Sequence, residues 1–131
     1  MSKKPLDKTI QYLAVIIGLI YMYQGLITKL WVYSFDVMQM IYHFGFVEST
    51  SRAISILLGL SQLVFGIGII KESGQQYMHY LNISISLIAC LVVLVVFPSR
   101  LTDAFNPVVL YIALIGISLI SLNLIAAKDK F

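Results

Sequence analysis

The chain has 131 residues, of which 60% are hydrophobic and 11% charged, whereas soluble domains carry about 25% charged residues. A soluble fold of this size has no interior large enough for so much apolar surface, which excludes an ordinary soluble domain. The net charge of +3 follows from how the loops are distributed and is not a nucleic-acid footprint.

A hydrocarbon core of about 30 Å needs roughly 20 apolar residues in a helix. Four runs of about that length lie between the charges, at residues 10–30, 53–70, 78–97 and 108–127. A membrane β-barrel would show short alternating segments, but LIACLVVLVVF at 87–97 is apolar on every face. The expected fold is an all-α integral membrane protein: one four-transmembrane-helix bundle over residues 1–131, with a short amphipathic surface helix in the first outer loop.

The opening MSKKPLDKTI ahead of an apolar run has the look of a secretory signal. No A-x-A-like site follows, however, and the run continues through bulky Tyr21, Met22 and Tyr23, so it reads as an uncleaved first helix. Ala14, Gly18 and Gly25 lie on one stripe of it. Lys29 ends the run in GLITKL, just before Trp31 and Tyr33. There a lysine can snorkel to the headgroups, or be held inward by outer-face carboxylates, for which Asp36, Glu48 and Asp103 are candidates.

The connection at 31–52 is the one long loop. In WVYSFDVMQMIYHFGF, Asp36, Gln39 and His43 recur at helical spacing opposite Phe35, Met38, Ile41 and Tyr42. This predicts a short amphipathic helix on the outer surface, ended by Gly45. The run ESTS at 48–51 then offers hydroxyl N-caps to the second span.

The second span carries Ser55, Gly59 and Gly66 on one stripe. Helices in lipid associate through small residues and polar contacts, so the first two spans should pack closely. Gln24 and Gln62 fall at depths where their amides can meet. A second polar layer pairs Asn82 with Ser121 or Asn123. Cys90, the single cysteine, lies mid-helix as a packing residue. KESGQQ is a plain helix connection, and Asn106–Pro107 is a helix-start signal.

Four spans put both termini on one side. The tails and the middle loop hold six Lys and Arg, against three around Lys29, Arg52 and Arg100. The positive-inside rule makes the termini cytoplasmic, in a multi-pass protein of the inner membrane. The chain holds no H-E-x-x-H, G-x-S-x-G, phosphate loop or acidic pair within a span. His43 and His79 would lie at opposite faces, which argues against an internal bis-histidyl haem. No metal site and no catalytic residues are assigned.

YMYQGLITKL, GLSQLVFG and FNPVVLYIAL resemble the DoxX-like family of small four-helix bacterial membrane proteins, in order along essentially the whole chain. The resemblance implies a bundle related to the membrane subunit of thiosulfate:quinone oxidoreductases, and it matches Tyr23, Gly25, Lys29, Gly59, Gln62, Gly66, Asn106 and Pro107. The family often has an acidic residue where this chain has Gln62, a departure that bears on any proton-relay role there.

The first expectation for function is a non-enzymatic accessory or interaction protein of the bacterial cytoplasmic membrane, binding a lipid-like ligand or a partner's helix. The alternative is a quinone-binding membrane subunit of an oxidoreductase that acts with a separate redox partner, and the third is a small transporter. The candidate ligand-binding set is Tyr23, Gln24, Lys29, Asp36, His43, Gln62, Asp103 and Asn106. No cofactor is evident, with quinone the one candidate. The expected partners are membrane lipids and a membrane or periplasmic redox protein, with a homo-oligomer left open and no nucleic acid.

Overall fold

The structure is a computed structural model that describes residues 4–31, 35–102 and 107–130; for Thr28, Lys29, Trp31, Phe35, Asp36 and Arg100 it describes the backbone alone. Those residues form α1 (Lys4–Gly25), which runs on into a π-helical segment (Leu26–Trp31), then α2 (Phe35–His43), α3 (Glu48–Lys71) and α4 (Gln76–Val96). A 3₁₀ turn (Pro98–Thr102) and α5 (Pro107–Lys128) follow. Three of the helices, α3, α4 and α5, are long and apolar enough to cross a bilayer. Their ends fall where charges or prolines bound the apolar runs. The apolar run at 10–30 is divided instead, because α1 starts among Lys4, Asp7 and Lys8 and gives way to the π-helical segment after Gly25.

The distribution of side chains is the reverse of a soluble protein's. Leu57, Leu60 and Val64 of α3, Leu87, Ile88, Leu91 and Val95 of α4, and Val109, Ile112 and Ile120 of α5 are exposed, while Ser51, Ser55, His79, Asn82, Ser86, Ser118 and Ser121 are buried. In water that pattern would be strongly unfavourable. Against lipid it is what helix association requires, since apolar tails cover the outside and polar groups find partners within.

The chain forms two compact units, residues 15–71 and residues 1–14 with 72–131. In the first, α1 and α3 run antiparallel and touch through their backbones. A Cβ added at Gly25 would lie 2.5 Å from the Gly59 carbonyl oxygen, and one at Gly66 would lie 2.6 Å from that of Gly18. The small-residue stripes of the two helices therefore meet as expected. The π-helical segment and α2 also pack on α3. Met38 and Ile41 are buried while Gln39 and His43 are exposed, so the apolar side of α2 is used against protein. Gly45 ends α2 with φ of +89°, a left-handed conformation that glycine adopts without strain, and its N–H donates to the Tyr42 carbonyl.

The expected hydroxyl caps of α3 are not formed. Glu48–Ser51 is already helix, the Ser51 hydroxyl donates back to the Phe46 carbonyl, and Glu48 pairs with Arg52 one turn on at 3.2 Å. An acid in the first turn faces the positive end of the helix dipole, which is an alternative to a hydroxyl at the cap. In the second unit α4 and α5 pack along one another. Asp7 near the start of α1 pairs with Lys128 at the end of α5, which brings the two ends of the chain's helical part together.

Candidate functional site

Along the antiparallel contact of α1 and α3, Gly18 faces Gly66, Tyr21 faces Phe65 and Gly25 faces Gly59. The same register sets Gln24 opposite Gln62. Residues three apart share a helix face, so each glutamine lies one turn from the Tyr21–Phe65 pair, whose rings meet edge to face with centroids 4.8 Å apart. Tyr21 is buried. The backbones are nearly in contact at this level, and the Cβ of Gln62 would lie 3.2 Å from a Cβ at Gly25.

The Oε1 atoms of Gln24 and Gln62 are both buried, and neither accepts a hydrogen bond among the described residues. Gln24 makes a separate interaction of its own. The two amides thus share a level, as their depths suggest, but neither oxygen accepts from the other amide. A buried acceptor without a donor carries a desolvation penalty of about 1–3 kcal/mol. Glutamine there differs from the acid that the family resemblance leads one to expect, since it brings an acceptor and donors without a charge.

The other expected site residues are spread more widely. Tyr23 is exposed on α1, one residue from Gln24 but on another face, and His43 is exposed at the end of α2, edge-on to Phe44. The backbone of Lys29 lies in the π-helical segment, a wide turn found at functional sites more often than chance, and that of Asp36 lies in the first turn of α2. The side chains of both are outside what is described, and Asp103 and Asn106 lie outside the described residues altogether.

A second polar cluster, in the other unit, joins α4 to α5. Asn82 Nδ2 donates to Ser118 Oγ at 2.6 Å and to the Leu114 carbonyl at 3.1 Å, and Ser86 Oγ donates to Asn82 Oδ1 at 3.4 Å. His79 is fully buried. Its Nε2 lies 3.3 Å from the Ser73 carbonyl, which can only accept, so in the neutral ring Nε2 carries the proton. Nδ1 then accepts from Ser118 Oγ at 3.2 Å. Each named group in this chain has a partner, so the cluster ties the α4–α5 pair and the turn before it together.

Sequence reasoning paired Asn82 with Ser121 or Asn123. Its partner is Ser118, one turn away, while Ser121 donates to its own helix at the Ile117 carbonyl and Asn123 is exposed. His79 and Ser118 were missed. A signal for them exists in the sequence: His79, Asn82, Ser86 and Cys90 recur at steps of three and four, and so do Leu114, Ser118, Ser121 and Ile125, giving each helix one buried polar stripe. Among the described residues no group of three or more His, Cys, Asp or Glu is placed to hold a metal ion.

The model of the DoxX-like family matches residues 18–119, from the glycine-rich part of α1 to the last turns of α5. No curated protein and no solved structure matches the chain.

Proposed function

The chain belongs to the DoxX-like family of membrane proteins, and from that premise we propose that it is a non-enzymatic accessory protein of the bacterial cytoplasmic membrane that holds a lipid-like molecule beside α1 and α3. In this reading residues 1–131 are a single domain with four spans, the fourth supplied by α1 together with the π-helical segment. The positive-inside count supports cytoplasmic termini, since six of the nine Lys and Arg lie in the tails and the loop at Lys71. The Asp7–Lys128 pair is compatible with both ends lying on one side.

The observation that carries the ligand reading is the buried, unfilled acceptor of Gln62 opposite Gln24, next to an aromatic pair and exposed apolar helix. An amphiphile would place its head at the amides and its chain along the lipid-facing surface. Tyr23, Lys29, Asp36 and His43, which belong to the same compact unit, are proposed to serve the same ligand from the outer side. The Tyr21–Phe65 pair favours one second reading, a ring-headed ligand of the quinone class delivered to a separate redox protein.

Mass spectrometry of small molecules co-purifying with the protein tests the proposal. A molecule retained at stoichiometric level by the native chain and lost in Gln62→Leu is the expected result. Recovery of bulk phospholipid alone, in membrane proportions and unchanged by the substitution, would refute it.

A further inference from the structure

We propose that the ligand of the α1–α3 site bears a hydroxyl at the head of an apolar chain, and that this hydroxyl donates to Gln62 Oε1. The inference rests on the ligand reading above and narrows it to one chemistry.

Three observations carry it. Gln62 Oε1 is an acceptor only, it is buried, and no group among the described residues donates to it. Next, the backbones of α1 and α3 nearly touch at this level, where a Cβ at Gly25 would lie 2.5 Å from the Gly59 carbonyl oxygen and 3.2 Å from Gln62 Cβ, so the seam leaves little room for a donor to enter from within. The backbone N–H groups there are committed to their own helical ladders. Last, the rings one turn from the amides are those of Tyr21 and Phe65, and Leu19, Leu58 and Leu60 are exposed on the same two helices, so a donor must arrive on a molecule that is otherwise at home in lipid.

The sign of the requirement discriminates between ligand classes. A quinone carbonyl, an ester or an ether presents acceptors alone, and set against Oε1 it would leave two lone-pair groups facing each other in a medium without water. A hydroxyl reverses this. Two membrane sources share that chemistry: the reduced, quinol form of a ring-headed carrier and a glycerol-headed lipid with a free hydroxyl.

The test uses the purified full-length chain in lipid nanodiscs and two matched probe pairs, with binding read by native mass spectrometry. One pair is decyl-benzoquinol and its dimethyl ether, and the other is 1,2-dioctanoylglycerol and its 3-O-methyl ether. At least one hydroxylated member should bind about tenfold or more tightly than its capped twin, as expected for a buried hydrogen bond made or lost. The pair that shows the preference identifies the source. Gln62→Leu should bring the two members of that pair to equal affinity, and Gln62→Asn, which keeps the amide, should restore part of the difference. The wild-type comparison decides the matter even where a variant fails to fold. Equal binding of the two members of both pairs would overturn the hydroxyl assignment while leaving a lipid-like ligand standing, as if a water filled the acceptor. Failure of all four probes to bind would remove the ligand reading with it.

Discussion

Replacing Gly25 with alanine should destabilise the protein, and replacing Gly116 should not, although both glycines lie in or at the end of long helices. At Gly25 the new methyl would stand 2.5 Å from the Gly59 carbonyl oxygen and 3.1 Å from the Leu63 nitrogen. Non-bonded contacts are comfortable at about 3.5 Å, so α1 and α3 would have to part by about an ångström at their closest point. Both obstacles are backbone, so no rotamer change relieves them. Overpacking of this kind costs about 1–3 kcal/mol, offset by up to ~1 kcal/mol of better helix propensity. The net loss is on the order of 1–2 kcal/mol, or about a 5- to 30-fold shift toward the unfolded form.

At Gly116 a Cβ meets nothing within 4 Å, so the propensity term acts alone and Gly116→Ala should be neutral or stabilising by up to ~1 kcal/mol. Reversible unfolding in mixed micelles, titrated with SDS and followed by far-ultraviolet circular dichroism, measures both. Shifts of the same sign would refute the close backbone contact. Gly66→Ala should behave as Gly25→Ala, since its methyl would lie 2.6 Å from the Gly18 oxygen.

Asn82→Leu removes the donor to Ser118 and Leu114 and should cost about 1–2 kcal/mol in the same assay; with Ser118→Ala added, the total should fall short of the sum, and strict additivity would mean that the two do not share a contact. Single cysteines at Ser2, Ser73 and Ser99 in a Cys90→Ala background should sort under an impermeant thiol reagent applied from outside, with position 99 alone labelled; reaction at 2 or 73 in intact cells would invert the topology. Lys29→Arg keeps the charge but not the compact ammonium, so insertion should persist while retention of the small molecule falls; unchanged retention would reduce Lys29 to an anchor.

Much of the helical framework is legible because charge is scarce. With so few ionisable residues, each one marks an edge, and α3, α4 and α5 end within a few residues of the apolar runs. The α1–α3 contact is legible for a different reason: glycines at steps of four and seven admit a neighbouring backbone, and spacing alone reveals them. Spacing is less informative about rotation. Depth along an axis put Asn82 near Ser121, but the direction in which a side chain leaves the helix decides its partner, and that chose Ser118. His79, in the first turn of α4, shares a face with Asn82 and is fully buried.

The π-helical segment was not foreseen, since LITKLW has no residue that separates a π-turn from an α-turn. ESTS is rich in capping residues, but capping requires a residue to stay outside the helix, and Glu48 begins it. Of the candidate site, the level of Gln24 and Gln62 was legible from their positions. The empty acceptors were not, because they depend on the absence of a third group that no pairwise spacing describes.

The membership of the two compact units bears on the order in which the protein can assemble as it is made. Residues 15–71 are contiguous, so the antiparallel pair of α1 and α3 can close once the second of them has been made. The other unit draws on both ends of the chain, and Asp7 must wait for Lys128. At 5–20 residues per second, the intervening stretch takes on the order of ten seconds to synthesise. During that interval the first turns of α1 lack their final neighbour. A nascent chain stalled before α5 would therefore hold a finished glycine contact and an unfinished amino-terminal turn.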